Sequence, residues 1–174
     1  MFIFIAGTTR SGKSEYAEHR AVELGQASRK IYVATAGVHD DEMRRRVELH
    51  KARRDGMGFV TVERERDLGG LELPEGACVL IESLTVWAAN EMFTASGVNH
   101  NAGGKIYEDF MTLKARAEHI VLVSDDVFSD GVNYDPLTEE YIRTLGGLHV
   151  KLAACADEVI EIFAGIPIKY SIIT

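Results

Sequence analysis

With 174 residues, 46% of them hydrophobic and 26% charged, the chain is long enough to bury the core of one globular domain. Its net charge of −8 disfavours nucleic acid as a partner, because phosphates repel an acidic surface. No apolar run approaches the roughly 20 residues that a membrane-spanning helix needs. The two cysteines, Cys78 and Cys155, lack metal-ligand spacing. We therefore expect a single cytoplasmic domain over residues 1–174, with no membrane span and with both cysteines buried as small hydrophobic side chains.

The first predicted elements are a buried strand over 2–6 and a helix over 13–24. The loop that joins them, with the first two helical residues, fits the phosphate-binding pattern G-x-x-x-x-G-K-[ST] at every fixed position. The pattern covers Gly7, Thr8, Thr9, Arg10, Ser11, Gly12, Lys13 and Ser14. Backbone N–H groups of such a loop enclose nucleotide phosphates, while the lysine reaches the outer phosphates and the serine hydroxyl ligates Mg²⁺. A glycine-rich turn that only caps a helix would not need Lys-Ser at the helix start, so the pattern predicts a nucleotide site.

The rest of the chain alternates between strand-like and helical patterns. Further strands are predicted at 31–34, 59–62, 78–82, 119–124, 158–163 and 166–172. Further helices are predicted at 41–55, 84–95, 104–117 and 136–155, with loops at 56–58, 68–76, 96–104 and 125–136. This alternation predicts an α/β fold of the P-loop NTPase-like kind, a mainly parallel sheet with helices on both faces. Pro167 predicts that the last strand lies at an edge of the sheet, where an antiparallel pairing is expected.

Acidic residues follow two of the buried strands, where they could lie near a Mg²⁺ ion bound at Ser14. Glu82 ends the strand at 78–82, and Asp125 and Asp126 follow the strand at 119–124. Ligands of open α/β sheets collect at this carboxyl edge. Glu82 is the preferred partner of Ser14 in a metal site, although it could instead cap the helix that starts at Leu84. The two aspartates could hold the metal or cap the turn that follows them.

A basic helix is predicted over 41–55, with acids in its first turn and bases in its last, as the helix dipole favours. Its residues Met43, Val47, His50 and Arg54 recur at i, i+4, i+7 and i+11 and therefore share one face. Arginines flank His50, which would suit an anion site and makes Arg54 a candidate nucleotide contact. Two interpretations of His50 stay open: a satisfied core histidine, or a neutral imidazole that attacks phosphorus to form a phosphoramidate.

Several segments together resemble one family, the cobinamide kinase / cobinamide-phosphate guanylyltransferases of cobalamin biosynthesis. They are the phosphate loop at 7–14, the segments 32–36, 41–43, 46–51 and 79–87 with Asn90, and the C-terminal segments 152–159 and 164–167. The similarity runs in order over nearly the whole chain, and the phosphate loop is the most specific of the matches.

The resemblance implies two reactions in one fold. A kinase step would transfer the γ-phosphoryl group of ATP or GTP to adenosylcobinamide. In a second step His50 would attack the α-phosphorus of GTP, and adenosylcobinamide phosphate would then take the GMP. The resemblance further implies that Lys13 acts in catalysis and that Ser14 and Glu82 hold Mg²⁺. It implies that Ala34, Thr35 and Ala36 join the phosphate loop and Glu82 in binding the nucleotide. It also implies that three copies form a propeller-like homotrimer.

The chain departs from the family at three places, all outside the nucleotide loop. Asp125-Asp126 stands where the family usually has Asn-Glu, and the segments 127–136 and 147–152 differ from their usual sequences. The resemblance therefore supports the nucleotide half of the assignment more strongly than the corrinoid half. Two alternatives follow: a single-function P-loop kinase for another small alcohol, without covalent nucleotide, or a GTP- and corrinoid-binding module without turnover.

Overall fold

The computed structural model describes residues 1–26, 28–37, 45, 48, 52–128 and 131–171. Its strands are β1 (Phe2–Gly7), β2 (Lys30–Ala34), β3 (Phe59–Glu63), β4 (Cys78–Glu82), β5 (Phe93–Thr94), β6 (Gly97–Val98), β7 (His119–Asp125), β8 (Glu158–Phe163) and β9 (Ile166–Tyr170). Its helices are α1 (Lys13–Leu24), α2 (Leu84–Met92), α3 (Ala102–Arg116) and α4 (Pro136–Ala154), with a short 3₁₀ turn at Leu68–Gly70. None of the helices among these residues is long and apolar enough to cross a membrane.

The main sheet has seven strands in the order β3-β2-β4-β7-β1-β8-β9. All neighbours pair in parallel except β8 and β9, which form an antiparallel hairpin. The mainly parallel sheet and the antiparallel edge strand are thus confirmed. This edge strand ends at Tyr170 and contains Pro167. Proline is tolerated there because one side of an edge strand needs no backbone N–H donor.

Helices cover both faces of the sheet, as predicted, and the alternation of side chains along β1 shows why. Phe2 and Phe4 point into a cluster that α2, α3 and α4 complete. Ile3 and Ile5 point into a second cluster, on the side of α1. All four side chains are at most 2% exposed, and each such burial stabilises the fold by about 1.5–3 kcal/mol. β1 is therefore fixed from both sides before it reaches the phosphate loop.

Two predictions of local structure are wrong and one lies mostly outside the described residues. The helix predicted over 84–95 ends at Met92, because Phe93 adopts an extended backbone and pairs with Val98 in the β5–β6 hairpin. Cys155 is only partly buried, unlike Cys78. Most of the helix predicted over 41–55 falls outside the described residues, although Ala52 and Arg53 are helical.

The parallel register brings three functional positions to one edge of the sheet. Gly7 lies opposite Asp125 on the neighbouring strand β7, and Glu82 of β4 lies opposite Val123. The backbone N–H of Asp126 donates to the carbonyl of Gly7 at 2.9 Å. Because the carboxyl ends of parallel strands meet at one edge, residues from distant parts of the chain surround the loop that follows β1.

Candidate functional site

The loop after β1 has the backbone conformation that its glycines permit. Gly12 has a φ of 94°, in the left-handed region that suits glycine. A Cβ atom on Gly7 would lie 2.7 Å from the carbonyl oxygen of Ile162 and 2.8 Å from the Ser11 hydroxyl. The backbone N–H of Gly165, in the β8–β9 turn, donates to the carbonyl of Ser11 at 2.9 Å. The fixed glycines of the pattern are thus explained by close packing at Gly7 and by backbone conformation at Gly12.

Lys13 lies at the first turn of α1 with its side chain only 9% exposed. Its ammonium group donates to the carbonyl of Thr8 at 3.1 Å and lies 2.7 Å from a carboxylate oxygen of Asp125. Beside it opens a cleft of about 450 Å³, which we call the nucleotide cleft. The cleft is lined by Thr9, Arg10, Gly12, Lys13, Ser14, Glu15, Arg53 and Glu82. Five of the residues predicted from the phosphate-loop pattern therefore meet at one cleft with a buried cation.

Glu82 contacts the first turn of α1 through one carboxylate oxygen and β2 through the other. The Ser14 hydroxyl donates to one oxygen, and the Tyr32 hydroxyl donates to the other at 2.9 Å. Burial, followed by the charge of Glu82, raises the pKa of Tyr32, so this group remains a neutral donor. The cap of α2 is not Glu82 but Ser83, whose hydroxyl accepts from the backbone N–H of Val86. The hydroxyl of Ser14 and the carboxylate of Glu82 are hard oxygen donors in contact, a set that fits Mg²⁺.

A buried carboxylate holds two arginines next to the nucleotide cleft. Glu18 of α1 is completely buried and accepts from Arg53 at 2.7 and 2.8 Å. Arg54 lies 3.5 Å from the same carboxylate and stacks on the ring of Tyr32 at 3.4 Å from the centroid. Of the two, Arg53 lines the nucleotide cleft, whereas Arg54 is packed against Tyr32. A nucleotide contact of Arg54 stays a prediction, and Arg53 is the better-placed arginine.

The segment 34–36 begins at the last residue of β2, where Ala34 lies opposite Glu82 at the end of β4. Thr35 is fully buried, and its hydroxyl accepts from the N–H of Ser83 at 2.7 Å and donates to the Ser83 carbonyl at 3.0 Å. The side chain of Asn90 donates to the carbonyl of Thr35 at 2.8 Å. Thr35 thus links the end of β2 to the end of β4 by hydrogen bonds. Nucleotide binding by Ala34, Thr35 and Ala36 stays a prediction. His50 lies outside the described residues.

A chain of hydrogen bonds, which sequence patterns did not indicate, links Asp125 to His149 in α4. The backbone N–H of Asp125 donates to the Thr85 hydroxyl at 2.8 Å. The Thr85 hydroxyl lies 3.2 Å from that of Ser124, which lies 2.7 Å from Nε2 of His149. Because the first donor is a backbone N–H, a chain running in one direction makes Nε2 the final acceptor and places the imidazole proton on Nδ1. Through these hydrogen bonds the neutral imidazole of His149 helps to hold the backbone of Asp125, which pairs with Lys13.

Burial lowers the pKa of His149 from 6.5 to about 4, and the nearby charge of Asp126 opposes this only partly. We expect the free energy of unfolding to fall as the pH drops from 6.5 towards 4, since the unfolded state takes up the proton first. The loss through this one group reaches about 3 kcal/mol. Urea unfolding of wild type and His149→Gln across this range checks the prediction, because the difference between the two curves isolates His149 from the carboxylates. Parallel curves would contradict it.

A mainly parallel sheet with a lysine-containing phosphate loop after β1, and carboxylates at the ends of β4 and β7, defines an α/β domain of the P-loop class. Among solved structures the chain resembles an ATPase domain, with a TM-score of 0.53 and 15% identity over 92% of this chain and 68% of that chain. This likeness concerns the fold alone.

The chain belongs to the cobinamide kinase / cobinamide phosphate guanyltransferase family, whose model matches residues 3–170. It is 31% identical to the bifunctional adenosylcobalamin biosynthesis protein CobU of Salmonella typhimurium, over 97% of this chain and 99% of the relative. It is 32% identical to the bifunctional protein CobP of Pseudomonas aeruginosa, over 94% and 93%. The corresponding protein of Escherichia coli is 29% identical over 97% and 99%. The resemblance inferred from the sequence is thus confirmed, and the chain is a transferase.

Proposed function

We propose that this enzyme phosphorylates adenosylcobinamide with ATP or GTP. We further propose that it transfers GMP from GTP to adenosylcobinamide phosphate through a guanylyl group on His50. The observation that supports this most strongly is the meeting of Lys13, Ser14 and Glu82 at one cleft, in a chain that matches the family over residues 3–170. The product of the two steps together would be adenosyl-GDP-cobinamide.

In the kinase step the loop amides and Lys13 bind the phosphates. Lys13 already lies between the Thr8 carbonyl and Asp125, so its ammonium needs little reorganisation to stabilise charge on the transferred group. Ser14 and Glu82 would hold Mg²⁺, which when bound neutralises negative charge on the phosphates. Tyr32 orients the Glu82 carboxylate through its hydrogen bond. Each of these groups is fixed by a neighbouring strand or helix before any nucleotide arrives.

In the guanylyl step an unprotonated nitrogen of His50 forms a bond to the α-phosphorus of GTP. The bond from that phosphorus to its bridging oxygen breaks, and pyrophosphate leaves with the electron pair. The acceptor phosphate oxygen then attacks the same phosphorus and releases the imidazole. Support comes from Arg53, which follows His50 by three residues in the chain and lines the nucleotide cleft. A guanidinium at that place stabilises negative charge that develops on the phosphates.

The covalent step is tested by incubating the protein with α-³²P-labelled GTP and Mg²⁺, followed by denaturing electrophoresis. We expect a protein-bound label that is labile in acid and stable in alkali, the signature of a phosphoramidate. His50→Ala should lose the label, whereas His19→Ala, a change of an exposed histidine in α1, should keep it. A wild-type protein that binds GTP without labelling would contradict the covalent mechanism and favour the single-function kinase or the binding module.

The family resemblance also motivates a homotrimer in the cytoplasm. Support for association comes from the outer hairpin β8–β9, where Phe163, Ile166, Ile168 and Tyr170 are 64%, 62%, 40% and 49% exposed. Side chains of this kind at a sheet edge favour contact with another protein surface. Sedimentation equilibrium that gives the mass of one chain at micromolar concentration would contradict the trimer.

A further inference from the structure

A second cleft lies next to the phosphate loop. Its volume is about 500 Å³, and Thr8, Asp126, Tyr134, Tyr141 and Ile142 are among the residues that line it. We call it the acceptor cleft. It lies between the loop and the first turns of α4, and residues that line it follow β7 in the segment where the sequence departs from the family pattern. This cleft is without an assigned ligand.

We propose that the acceptor cleft binds the alcohol-bearing arm of the phosphoryl acceptor, and that Asp126 takes the proton of its hydroxyl group as the general base. The inference rests on the kinase activity proposed above and adds to it a place and a catalytic residue for the acceptor.

The two clefts are joined through the Lys13 ammonium group. Lys13 lines the nucleotide cleft and donates to the carbonyl of Thr8, and Thr8 lines the acceptor cleft. A phosphoryl group bound to this ammonium therefore lies at the boundary between the clefts. Transfer in line requires the attacking oxygen to approach from the side opposite the leaving nucleotide. In this proposal the acceptor alcohol occupies that side.

Of the two aspartates after β7, Asp126 is the one placed to act on a hydroxyl group in the acceptor cleft. The carboxylate of Asp125 lies 2.7 Å from the Lys13 ammonium and forms an ion pair with it. Asp126 lines the acceptor cleft, its backbone N–H is bound to the Gly7 carbonyl at 2.9 Å, and one carboxylate oxygen accepts from the N–H of Phe128 at 3.1 Å. The turn thus fixes the carboxylate at the cleft.

The lining of the acceptor cleft indicates the chemistry of its occupant. Tyr134, Tyr141, Val127 and Ile142 supply apolar surface, and Asp126 is the charged residue among the described lining residues. The Tyr141 hydroxyl is already engaged as a donor to the Thr85 carbonyl at 2.9 Å, and burial raises the pKa of this phenol to about 12. A volume of about 500 Å³ suits a ligand portion of modest size. The cleft therefore fits an uncharged aliphatic alcohol arm, with a larger body left outside.

The step balances without a further reactant. The Asp126 carboxylate accepts the hydroxyl proton as the alcohol oxygen bonds to the γ-phosphorus. The bond between that phosphorus and the β,γ-bridging oxygen breaks, and the nucleoside diphosphate leaves with the electron pair. Asp126 ends protonated and returns its proton to solvent when the phosphorylated alcohol departs.

The test compares Asp126→Asn with wild type in two assays on the same preparation. Positioned bases contribute about 100-fold or more to rate, so kcat for phosphorylation of adenosylcobinamide should fall by at least about 100-fold while KM for ATP stays close to that of wild type. Covalent labelling by GTP, which does not use the acceptor alcohol, should be unchanged. Asp126→Glu should recover part of the rate, and Glu108→Gln, an exposed carboxylate in α3, should have no effect. An Asp126→Asn enzyme with wild-type kcat would overturn the assignment of the base.

The cleft itself is tested by Tyr134→Ala and Ile142→Ala, which should raise KM for the acceptor and leave KM for ATP unchanged. Val150→Ala, a 72% exposed position in the same helix α4, is the matched control. Equal KM values for the acceptor in all three variants and wild type would overturn the location. If wild type phosphorylates no adenosylcobinamide at all, the proposed kinase function fails instead, so the two failures are distinguishable.

Discussion

Replacing Lys13 with methionine is expected to lower phosphoryl transfer by roughly 1000-fold, since one preorganised group that stabilises transition-state charge contributes on this scale. Methionine keeps much of the length and apolar stem of lysine, so the 9% exposed side chain still fills its place. What is lost is the ammonium between the Thr8 carbonyl and Asp125. The Asp125 carboxylate would then face the nucleotide phosphates without its cation, and repulsion adds to the loss.

The measurement is single-turnover phosphoryl transfer at saturating ATP, which separates the chemical step from nucleotide affinity. Lys151→Met is the matched control, because Lys151 is an exposed lysine in α4 that contacts the ring of Tyr107 rather than the loop. Its rate should equal that of wild type. A Lys13→Met enzyme that keeps more than about a tenth of the wild-type rate would contradict the role that we assign to the ammonium, since the expected loss is far larger.

Glu18→Ala is expected to lower the free energy of unfolding by about 3–5 kcal/mol, the usual cost of removing one partner from a buried ion pair. Glu18 is completely buried, and the Arg54 side chain beside it is only 5% exposed. Without the carboxylate, Arg54 would keep its charge in an apolar setting, stacked on Tyr32. Arg53 would also lose the contact that orients it at the nucleotide cleft, so ATP and GTP affinity should fall as well.

Equilibrium urea unfolding measures the first effect and nucleotide titration the second. Glu23→Ala in the same helix is the matched control: Glu23 pairs with Arg20 at 3.4 Å, but its side chain is 62% exposed. An exposed pair of this kind contributes at most about 1 kcal/mol. A Glu18→Ala protein as stable as Glu23→Ala would show that the buried pair is not needed for the fold.

Much of this fold follows from local patterns, and the exceptions have identifiable causes. The helix at Lys13–Leu24 and the strand at Cys78–Glu82 have the predicted bounds, because the loop motif fixes the first and two-sided burial marks the second. The helix predicted over 84–95 failed after Met92, where pairing between Phe93 and Val98 overrides the helical pattern. Such pairing depends on the partner strand, and no single segment reveals it.

For the site, the residues of the motif are evident in the sequence, whereas the residues that hold them in place are not. Ser14, Lys13 and Glu82 come together as predicted, because strand ends of a parallel sheet share an edge. The shared helical face by itself favours Arg54 over Arg53, whereas in the structure contacts with Glu18 and Tyr32 decide where each arginine lies. The sequence indicates only weakly that Glu18 is buried: it lies three residues from the apolar Ala21 and therefore on the same face of α1. Sequence alone does not indicate that Asp125 pairs with Lys13.

The position of β1 in the sheet also bears on how the enzyme is made. Phe2 pairs with Ile120 on one side, and Ile3 pairs with Glu158 on the other. During synthesis the first strand thus leaves the ribosome with both of its neighbours still untranslated. Long-range parallel pairing of this kind forms slowly, since the intervening chain must first be closed into a loop. The phosphate loop therefore reaches its folded conformation only late in translation, and until then the apolar strand β1 is exposed to chaperones and to aggregation.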